Sequence, residues 1–150
     1  MIELLDGINL EKYMGTWLEM ARKPAFFQKT CKSAKAEYEL EYEGSMPIIK
    51  VKNICTKENG EISQANGKAR VKSPRALAVK FSIFMNIFNK PNYEIVYIDT
   101  NYQVSIVGSP DKKYLWILSR EILVKEQINS LLEIAKQRGF DTSDVIFDEY

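Results

Sequence analysis

Two short stretches that lie far apart in the sequence decide the fold: GTW at residues 15–17 and YLWILSR at residues 114–120. The first opens a strand-like run, and the second is a strand that ends in a cation. Strand-like segments separated by turn residues fill the sequence between them. The tryptophan of the first strand and the arginine of the last can stack as a cation–π pair only if the sheet closes on itself. The two stretches therefore predict a closed β-barrel, which is a shape that can enclose a ligand.

Eight segments of the chain have the pattern of β-strands. In the clearest of them, residues 31–42, small or apolar residues alternate with lysine and glutamate, and a period of two indicates one buried and one solvated face. Asn59-Gly60 is the strongest of the turn signals between segments. Consecutive strands with short links predict an antiparallel up-and-down barrel. The expected strands are residues 14–22, 31–42, 48–56, 62–71, 77–84, 93–99, 102–108 and 113–120.

The pattern changes to helical spacing after the last of these strands. Apolar residues recur every three or four positions within residues 123–138, and Gly139 is a typical helix cap. A helical turn at residues 9–13 and a short strand at residues 145–147 complete the prediction. The expected fold is all-β, an eight-stranded antiparallel up-and-down β-barrel with one C-terminal α-helix packed outside, in a single domain over residues 1–150.

Composition excludes several classes of function. Lys plus Arg number 21 and Asp plus Glu number 20, a balance that argues against a nucleic-acid partner. There is no histidine, so neither a Ser–His nor a Cys–His nucleophile is available, and no histidine-ligated metal site can form. Two cysteines cannot supply a four-thiolate site. We therefore expect no enzyme activity, no cofactor and no metal.

The interior of the predicted barrel is the candidate binding site. An eight-stranded barrel is just wide enough to hold a small ligand among its side chains. Alternation turns aromatic and apolar residues inward, and small residues such as Ala34, Gly67 and Ala69 leave space there. The candidate ligand-binding residues are Ala36, Tyr38, Val51, Asn53, Phe81, Tyr93, Ile95, Tyr97, Tyr114 and Trp116.

These motifs resemble the signatures of the lipocalin family. GTW at residues 15–17 resembles the first signature, DTNY at residues 99–102 the second, and Arg120 followed by a helix the third. Residues 10–21 and 111–120 look like the bacterial and apolipoprotein D-like subgroup, although Leu18 stands where that subgroup commonly carries tyrosine. The resemblance covers about residues 9–147. It implies binding, storage or transport of fatty acids, lysophospholipids or similar lipids in the barrel, in membrane lipid maintenance.

Three residues of the signatures are assigned a structural role. Trp17 and Arg120 are expected to form a cation–π contact that plugs the closed end of the barrel, next to Gly15. Glu19 shares the inward parity of Trp17. We expect it to bind the polar head of a ligand, to hydrogen-bond buried hydroxyls, or to pair with Arg22, Lys23 or another wall residue near the mouth.

Two loops with aromatic residues are expected at the open end. Phe26 and Phe27 lie in the first long loop, and Phe84 lies in a second apolar segment. Aromatic side chains at a rim favour a portal that touches a membrane or a second subunit, while a loop folded onto its own barrel is the alternative. The alternative function is accordingly an interaction module that binds a membrane or a protein through this rim. The expected state is a monomer or a weak homodimer.

The two cysteines are placed for a disulfide. Cys31 begins the second strand and Cys55 ends the third, so the hairpin between them brings the two side by side. A disulfide would indicate an oxidising compartment, and two reduced thiols would indicate the cytosol. A catalytic thiol is disfavoured because no histidine can activate it.

Localisation follows from the same alternatives. Residues 1–7 lack the features of a signal peptide, and the lipidated cysteine of bacterial lipocalins is absent. We expect a periplasmic or outer-membrane-associated protein if a signal segment has been removed, and a cytoplasmic one otherwise.

Overall fold

The computed structural model describes residues 3–4, 8–25, 30–73, 76–80 and 92–150, and its centre is a closed antiparallel barrel. Two short strands, β1 (Glu3–Leu4) and β2 (Ile8–Asn9), pair with each other, and α1 (Leu10–Tyr13) leads into the barrel. The barrel strands are β3 (Gly15–Arg22), β4 (Cys31–Glu43), β5 (Met46–Lys57), β6 (Ile62–Ser73), β7 (Ala76–Lys80), β8 (Tyr93–Ile98), β9 (Val104–Gly108) and β10 (Leu115–Ser119).

Each barrel strand pairs with its neighbour in sequence, and the last strand closes the circle. β10 pairs with β3, with Trp116 opposite Arg22 and Leu118 opposite Glu19. This pairing removes the free edges that an open sheet would expose. The predicted eight-stranded antiparallel barrel is confirmed.

The inner face of the barrel carries one apolar cluster, as the alternation predicts. Opposite residues of neighbouring strands, such as Tyr38 and Val51 or Ile49 and Ala69, share this face. We call the set the inner cluster: Ile8, Leu10, Tyr13, Trp17, Ala36, Tyr38, Ile49, Val51, Ala69, Leu77, Val79, Ile95, Val107 and Leu118.

A second cluster lies outside the barrel, beneath the helix α2 (Lys125–Gln137). Gln127 accepts the Val124 backbone N–H at the start of α2, which satisfies one of the free donors of a helix terminus. The outer cluster consists of Met20, Ala21, Ile106, Leu115, Ile117, Ile128, Leu131, Leu132, Ala135 and Phe140. The helix therefore covers the barrel wall, and α2 confirms the predicted outer helix. Within the described ranges, no helix has the length and apolar character to cross a membrane.

The β8–β9 turn makes one strand shorter than expected. The Asp99 carboxylate accepts the backbone N–H groups of Gln103 and Val104 at 2.7 and 2.8 Å. Tyr102 within the turn has a φ of 56°, in the left-handed region. These groups belong to a turn and not to a ladder, so β9 begins at Val104, whereas the prediction began at residue 102.

α1 and the start of β3 close one end of the barrel. Asn9 caps α1 by accepting the Lys12 N–H, and the Trp17 indole N–H donates to the Tyr13 carbonyl at 2.8 Å. Gly15 has a φ of 97°, which favours glycine, and a Cβ there would lie 3.4 Å from Arg120 Nη1. The short helix thus passes directly beneath the inner cluster.

A last short strand, β11 (Ile146–Phe147), pairs with β3, with Ile146 opposite Arg22 and Phe147 opposite Ala21. It lies beside the half of β3 that has no ladder with β4, because the β3–β4 register covers only Gly15–Leu18 and Lys35–Tyr38. The C-terminus therefore contributes to the barrel wall.

Candidate functional site

A chain of four hydroxyl groups lies toward the closed end of the barrel interior. The Tyr13 hydroxyl lies 2.9 Å from Ser105 Oγ and 2.7 Å from the Tyr93 hydroxyl. The Tyr93 hydroxyl lies 3.0 Å from the Tyr38 hydroxyl. Tyr13 is brought there by α1, Tyr38 by β4, Tyr93 by β8 and Ser105 by β9, so the chain is assembled from four separate elements.

The three tyrosines of this chain remain protonated at neutral pH. Burial raises the pKa of Tyr13 to about 12, with hydrogen bonds from Ser105 and Tyr93 acting against the shift. Burial also raises the pKa of Tyr38 and of Tyr93 above the ordinary value of 10.0. The interior therefore presents uncharged O–H groups, which can both donate and accept hydrogen bonds.

The hydroxyl chain contains one more O–H donor than it has internal hydrogen bonds. Four hydroxyls are joined by three hydrogen bonds, so three of the four protons have an acceptor within the chain. Among the residues that the structure describes, no further acceptor bonds to either end, Tyr38 or Ser105. A ligand oxygen that reaches the Tyr38 end of the chain can therefore accept a hydrogen bond from this hydroxyl.

Two alanines and an asparagine lie side by side on three neighbouring strands of the wall. Ala36 lies opposite Asn53, and Asn53 lies opposite Ala65 on β6. Ala36 is buried, whereas Asn53 and Ala65 are exposed although they share the inner parity of buried Val51. The barrel is therefore filled near Val51 and open to solvent near Asn53, which places its mouth at that end.

Two aromatic candidates, Tyr114 and Trp116, lie at the start of the last barrel strand. Trp116 is half-buried and packs against the inner cluster. Its ring stacks on that of Tyr114, with centroids 6.0 Å apart and planes 20° apart. The two stacked rings therefore form a flat apolar surface beside the inner cluster.

The inward placement of Tyr97 is wrong. β8 has an irregularity in its pairing with β9, since Ile95 lies opposite Val107 but Tyr97 lies opposite Ile106. One extra residue reverses the alternation, so Tyr97 packs against the outer cluster and Ile98 packs against the inner one. Tyr97 is therefore removed from the candidate lining residues.

The other predicted positions divide into two groups. Ile95 and Val51 are buried in the inner cluster. Four predicted residues lie outside the described part of the chain, the lining residue Phe81 and the portal residues Phe26, Phe27 and Phe84.

A buried group of charges lies where β11 meets β3. Arg22 Nη1 lies 3.2 Å from Glu19 Oε2 and 3.6 Å from Asp148 Oδ1. Glu19 and Arg22 are each 3% exposed. Burial, together with a hydrogen bond and the negative charge of Glu19, raises the pKa of the Asp148 carboxyl. The raised pKa keeps the Asp148 carboxyl protonated at neutral pH, where it lies beside the Arg22 guanidinium.

Of the three alternatives for Glu19, the structure shows pairing with Arg22. Sequence reasoning did not identify Tyr13, Ser105 or Asp148 as parts of these groups. Ser105 and Asp148 belong to segments whose inner partners are more than 90 residues away, and only Tyr13, four residues before Trp17, lies near a recognised motif.

The predicted disulfide is confirmed. Cys31 and Cys55 are bonded, with their Cα atoms 5.5 Å apart. The catalytic-thiol alternative therefore has no free thiol in the described chain, where every cysteine is in this bond. The described residues also contain no group of three or more Cys, Asp or Glu side chains placed to hold a metal ion.

Comparison with known proteins is consistent across nearly the whole chain. Residues 8–149 match the model of the Lipocalin-like domain. Temperature-induced lipocalin-1 of Arabidopsis thaliana is 36% identical over 148 residues, covering 95% of this chain and 79% of the relative. Outer membrane lipoprotein Blc of Escherichia coli (strain K12) is 29% identical over 148 residues, covering 97% and 81%.

A solved structure supports the fold independently. The cockroach allergen Per a 4 superposes with a TM-score of 0.68 at 21% identity, covering 96% of this chain and 90% of the allergen. At that identity the similarity concerns the fold alone.

Proposed function

This chain belongs to the lipocalin family, whose members bind small hydrophobic ligands, and from this premise we propose that it binds fatty acids, lysophospholipids or similar lipids in its barrel. Storage or transport of such lipids in membrane maintenance is the role we assign. The reaction is reversible binding, without covalent chemistry. Residues Ala36, Tyr38, Val51, Asn53, Tyr93, Ile95, Tyr114 and Trp116 are the proposed lining.

The observation that carries the proposal is the hydroxyl chain beneath an apolar wall. An acyl chain beside Ala36, Val51 and Trp116 gains roughly 25 cal/mol per Å² of apolar surface removed from water. An oxygen atom at the end of the ligand accepts a hydrogen bond from the Tyr38 hydroxyl, which is an end of the hydroxyl chain. A ligand that is mostly apolar and carries an oxygen therefore suits this interior better than a pure hydrocarbon does.

The compartment is proposed on two grounds. The Cys31–Cys55 disulfide is favoured in an oxidising environment, and Blc is by its name an outer membrane lipoprotein. We assign the protein to the periplasm or the outer-membrane surface. Mass spectrometry of thiol-alkylated protein from cell fractions measures this, and free thiols in the native protein would point to the cytoplasm instead.

Native mass spectrometry tests the proposed function directly. We expect the purified protein to carry a fatty acid or lysophospholipid, or to take up cis-parinaric acid with a fluorescence increase. Protein that is empty as isolated and also fails to take up the probe would contradict the proposal. Urea-denatured protein serves as the control, because it has the same residues without the barrel.

A further inference from the structure

Residues 146–150, which we call the strap, bridge β3 and β4. The strap lies where these two strands have separated, beyond their ladder at Gly15–Leu18. On one side, Ile146 and Phe147 pair with β3, and the Asp148 N–H donates to the Met20 carbonyl at 3.0 Å. On the other side, the Glu149 N–H donates to the Lys32 carbonyl of β4 at 2.8 Å. The strap therefore fills a seam in the barrel wall between β3 and β4.

The final residue repeats this bridging arrangement. The Tyr150 hydroxyl lies 2.5 Å from the Glu19 carbonyl on β3 and 3.0 Å from the Ala34 carbonyl on β4. The Asp148 carboxyl adds a second link to β4, because its Oδ2 accepts the Ala34 N–H at 3.1 Å. These hydrogen bonds, together with the contact between Asp148 and the Arg22 guanidinium, hold residues 148–150 in place.

Within the strap, Phe147 packs against the outer cluster, and two other apolar or aromatic side chains remain largely in solvent. Tyr150 is 57% exposed and Ile146 is 42% exposed. Asp148 is desolvated beside Glu19, and release of the strap returns its carboxyl to water. A segment with few apolar contacts and a desolvated carboxyl opens more readily than the barrel does.

Behind the strap lies the barrel interior. Glu19 has the inward parity of Trp17, and Arg22 lies opposite the inward-facing Trp116. Arg22 Nη2 crosses the seam to the Cys31 carbonyl at 2.9 Å, and its guanidinium contacts Asp148. Release of Asp148 removes one of the groups that hold Arg22 across the seam.

We propose that the strap is a detachable part of the barrel wall, and that its release opens a side entrance through which the lipid ligand exchanges. The inference rests on the proposed function, because it concerns how the same cavity is reached. The two proposals can be separated, because a ligand that enters through the mouth near Asn53 binds without any movement of the strap.

A loosened strap gives the first test. Tyr150→Phe removes the hydroxyl that bridges β3 and β4, and Tyr42→Phe makes the same change at an exposed hairpin. In stopped-flow measurements with cis-parinaric acid, we expect Tyr150→Phe to raise the association and dissociation rates together, about fivefold to tenfold. The Kd should change by less than about twofold, because an entrance alters both rates equally. The Tyr42 variant should behave as the wild type.

A locked strap gives the converse test. Ala21 and Phe147 are opposite each other in the β3–β11 pair, so Ala21→Cys with Phe147→Cys places two cysteines at disulfide distance. We expect the oxidised form to exchange the probe at least about fivefold more slowly than its own reduced form. Wild-type protein under the same reduction controls for the loss of Cys31–Cys55.

Hydrogen exchange separates failure of the entrance from failure of the binding function. The Ala34 amide, bonded to Asp148, reports strap opening without any lipid, and Tyr150→Phe should accelerate its exchange. The proposed entrance is wrong if hydrogen exchange at the Ala34 amide becomes faster in Tyr150→Phe while the probe association and dissociation rates stay at the wild-type values. It is also wrong if the locked form exchanges the probe as fast as the wild type. If wild-type protein takes up no probe at all, the proposed function is overturned and the entrance with it.

Discussion

The guanidinium carbon of Arg120 lies 3.7 Å from the centre of the Trp17 ring, joining the strand that ends the barrel to the strand that begins it. The same guanidinium donates to four backbone carbonyls, those of Lys12, Tyr13, Thr16 and Tyr102. One side chain thereby holds α1, β3 and the β8–β9 turn together at the closed end.

Replacing this side chain tests its structural role. Arg120→Lys keeps the charge but loses the planar stack and most of the carbonyl bonds, so we expect a loss of about 2–3 kcal/mol in unfolding free energy. Urea unfolding followed by tryptophan fluorescence measures it. Arg138→Lys is the matched control, because Arg138 is exposed and, among the described residues, its guanidinium donates to a single carbonyl, that of Val96. Equal stability of the two variants would contradict the role.

Removing the disulfide should destabilise the protein by about 3 kcal/mol, the value expected for a closed loop of this length. Cys31 and Cys55 are 24 residues apart and tie the start of β4 to the end of β5. The Cys31→Ser/Cys55→Ser double variant should show this loss in urea unfolding. Under reducing conditions the wild type should fall to the stability of the variant, and a difference that persists would mean that the serines have an effect of their own.

Tyr38→Phe tests the hydroxyl chain. Tyr38 is an end of the chain, so its loss leaves the bonds among Tyr93, Tyr13 and Ser105 intact. We expect fatty-acid binding to weaken about fivefold to tenfold, while the unfolding free energy changes by less than about 1 kcal/mol. Fluorescence titration with cis-parinaric acid measures the first quantity. Unchanged affinity would show that the ligand oxygen lies elsewhere.

Asp148 predicts an unusual pH dependence. Burial raises the pKa of its carboxyl in the folded protein well above 3.8, the value expected for the unfolded chain. At neutral pH the folded state therefore holds a proton that the unfolded state has lost. The contribution of this proton to the unfolding free energy is therefore complete below pH 3.8, the pKa of the unfolded state. It declines as the pH rises toward the pKa of the folded state, by at most about 1.4 kcal/mol per pH unit. Asp148→Asn keeps an uncharged side chain, so its stability should vary less between pH 5 and 9. Parallel pH curves for variant and wild type would contradict the raised pKa of Asp148.

Gly108 tests the packing of the outer cluster. A Cβ at this position would lie 2.4 Å from the Phe140 ring and 3.3 Å from the Tyr114 carbonyl. Gly108→Ala should therefore cost about 1–3 kcal/mol in thermal or urea unfolding. Adding Phe140→Leu to Gly108→Ala should recover part of that loss relative to the sum of the single changes. Simple additivity of the two effects would exclude the clash.

Much of the fold could be predicted because its signals are local. The alternation in residues 31–42 orients β4, and the hairpin between Cys31 and Cys55 places the disulfide. The meeting of Trp17 and Arg120 follows from closure of the sheet. These inferences need only a strand period and short turns.

The candidate site was predicted less completely because two of its features depend on single insertions and distant contacts. One extra residue in β8 reverses the alternation, which turns Tyr97 outward and Ile98 inward. Nothing in the composition of residues 93–98 marks that irregularity. The hydroxyl chain joins Tyr13 to Ser105, which are 92 residues apart in the sequence. Periodicity within a segment does not predict which residues of such distant segments come into contact.

The sequence by itself determined the all-β class, the barrel, the outer helix and the cysteine pair, because periodicity and turn chemistry act between near neighbours. Only the tertiary structure decided that three tyrosines and a serine are joined by hydrogen bonds inside the barrel. It also decided that Asp148 contacts Glu19 and Arg22 in the barrel wall. Burial of polar groups depends on which segments come together in space. The same residue types in solvent would have ordinary pKa values and no defined partners.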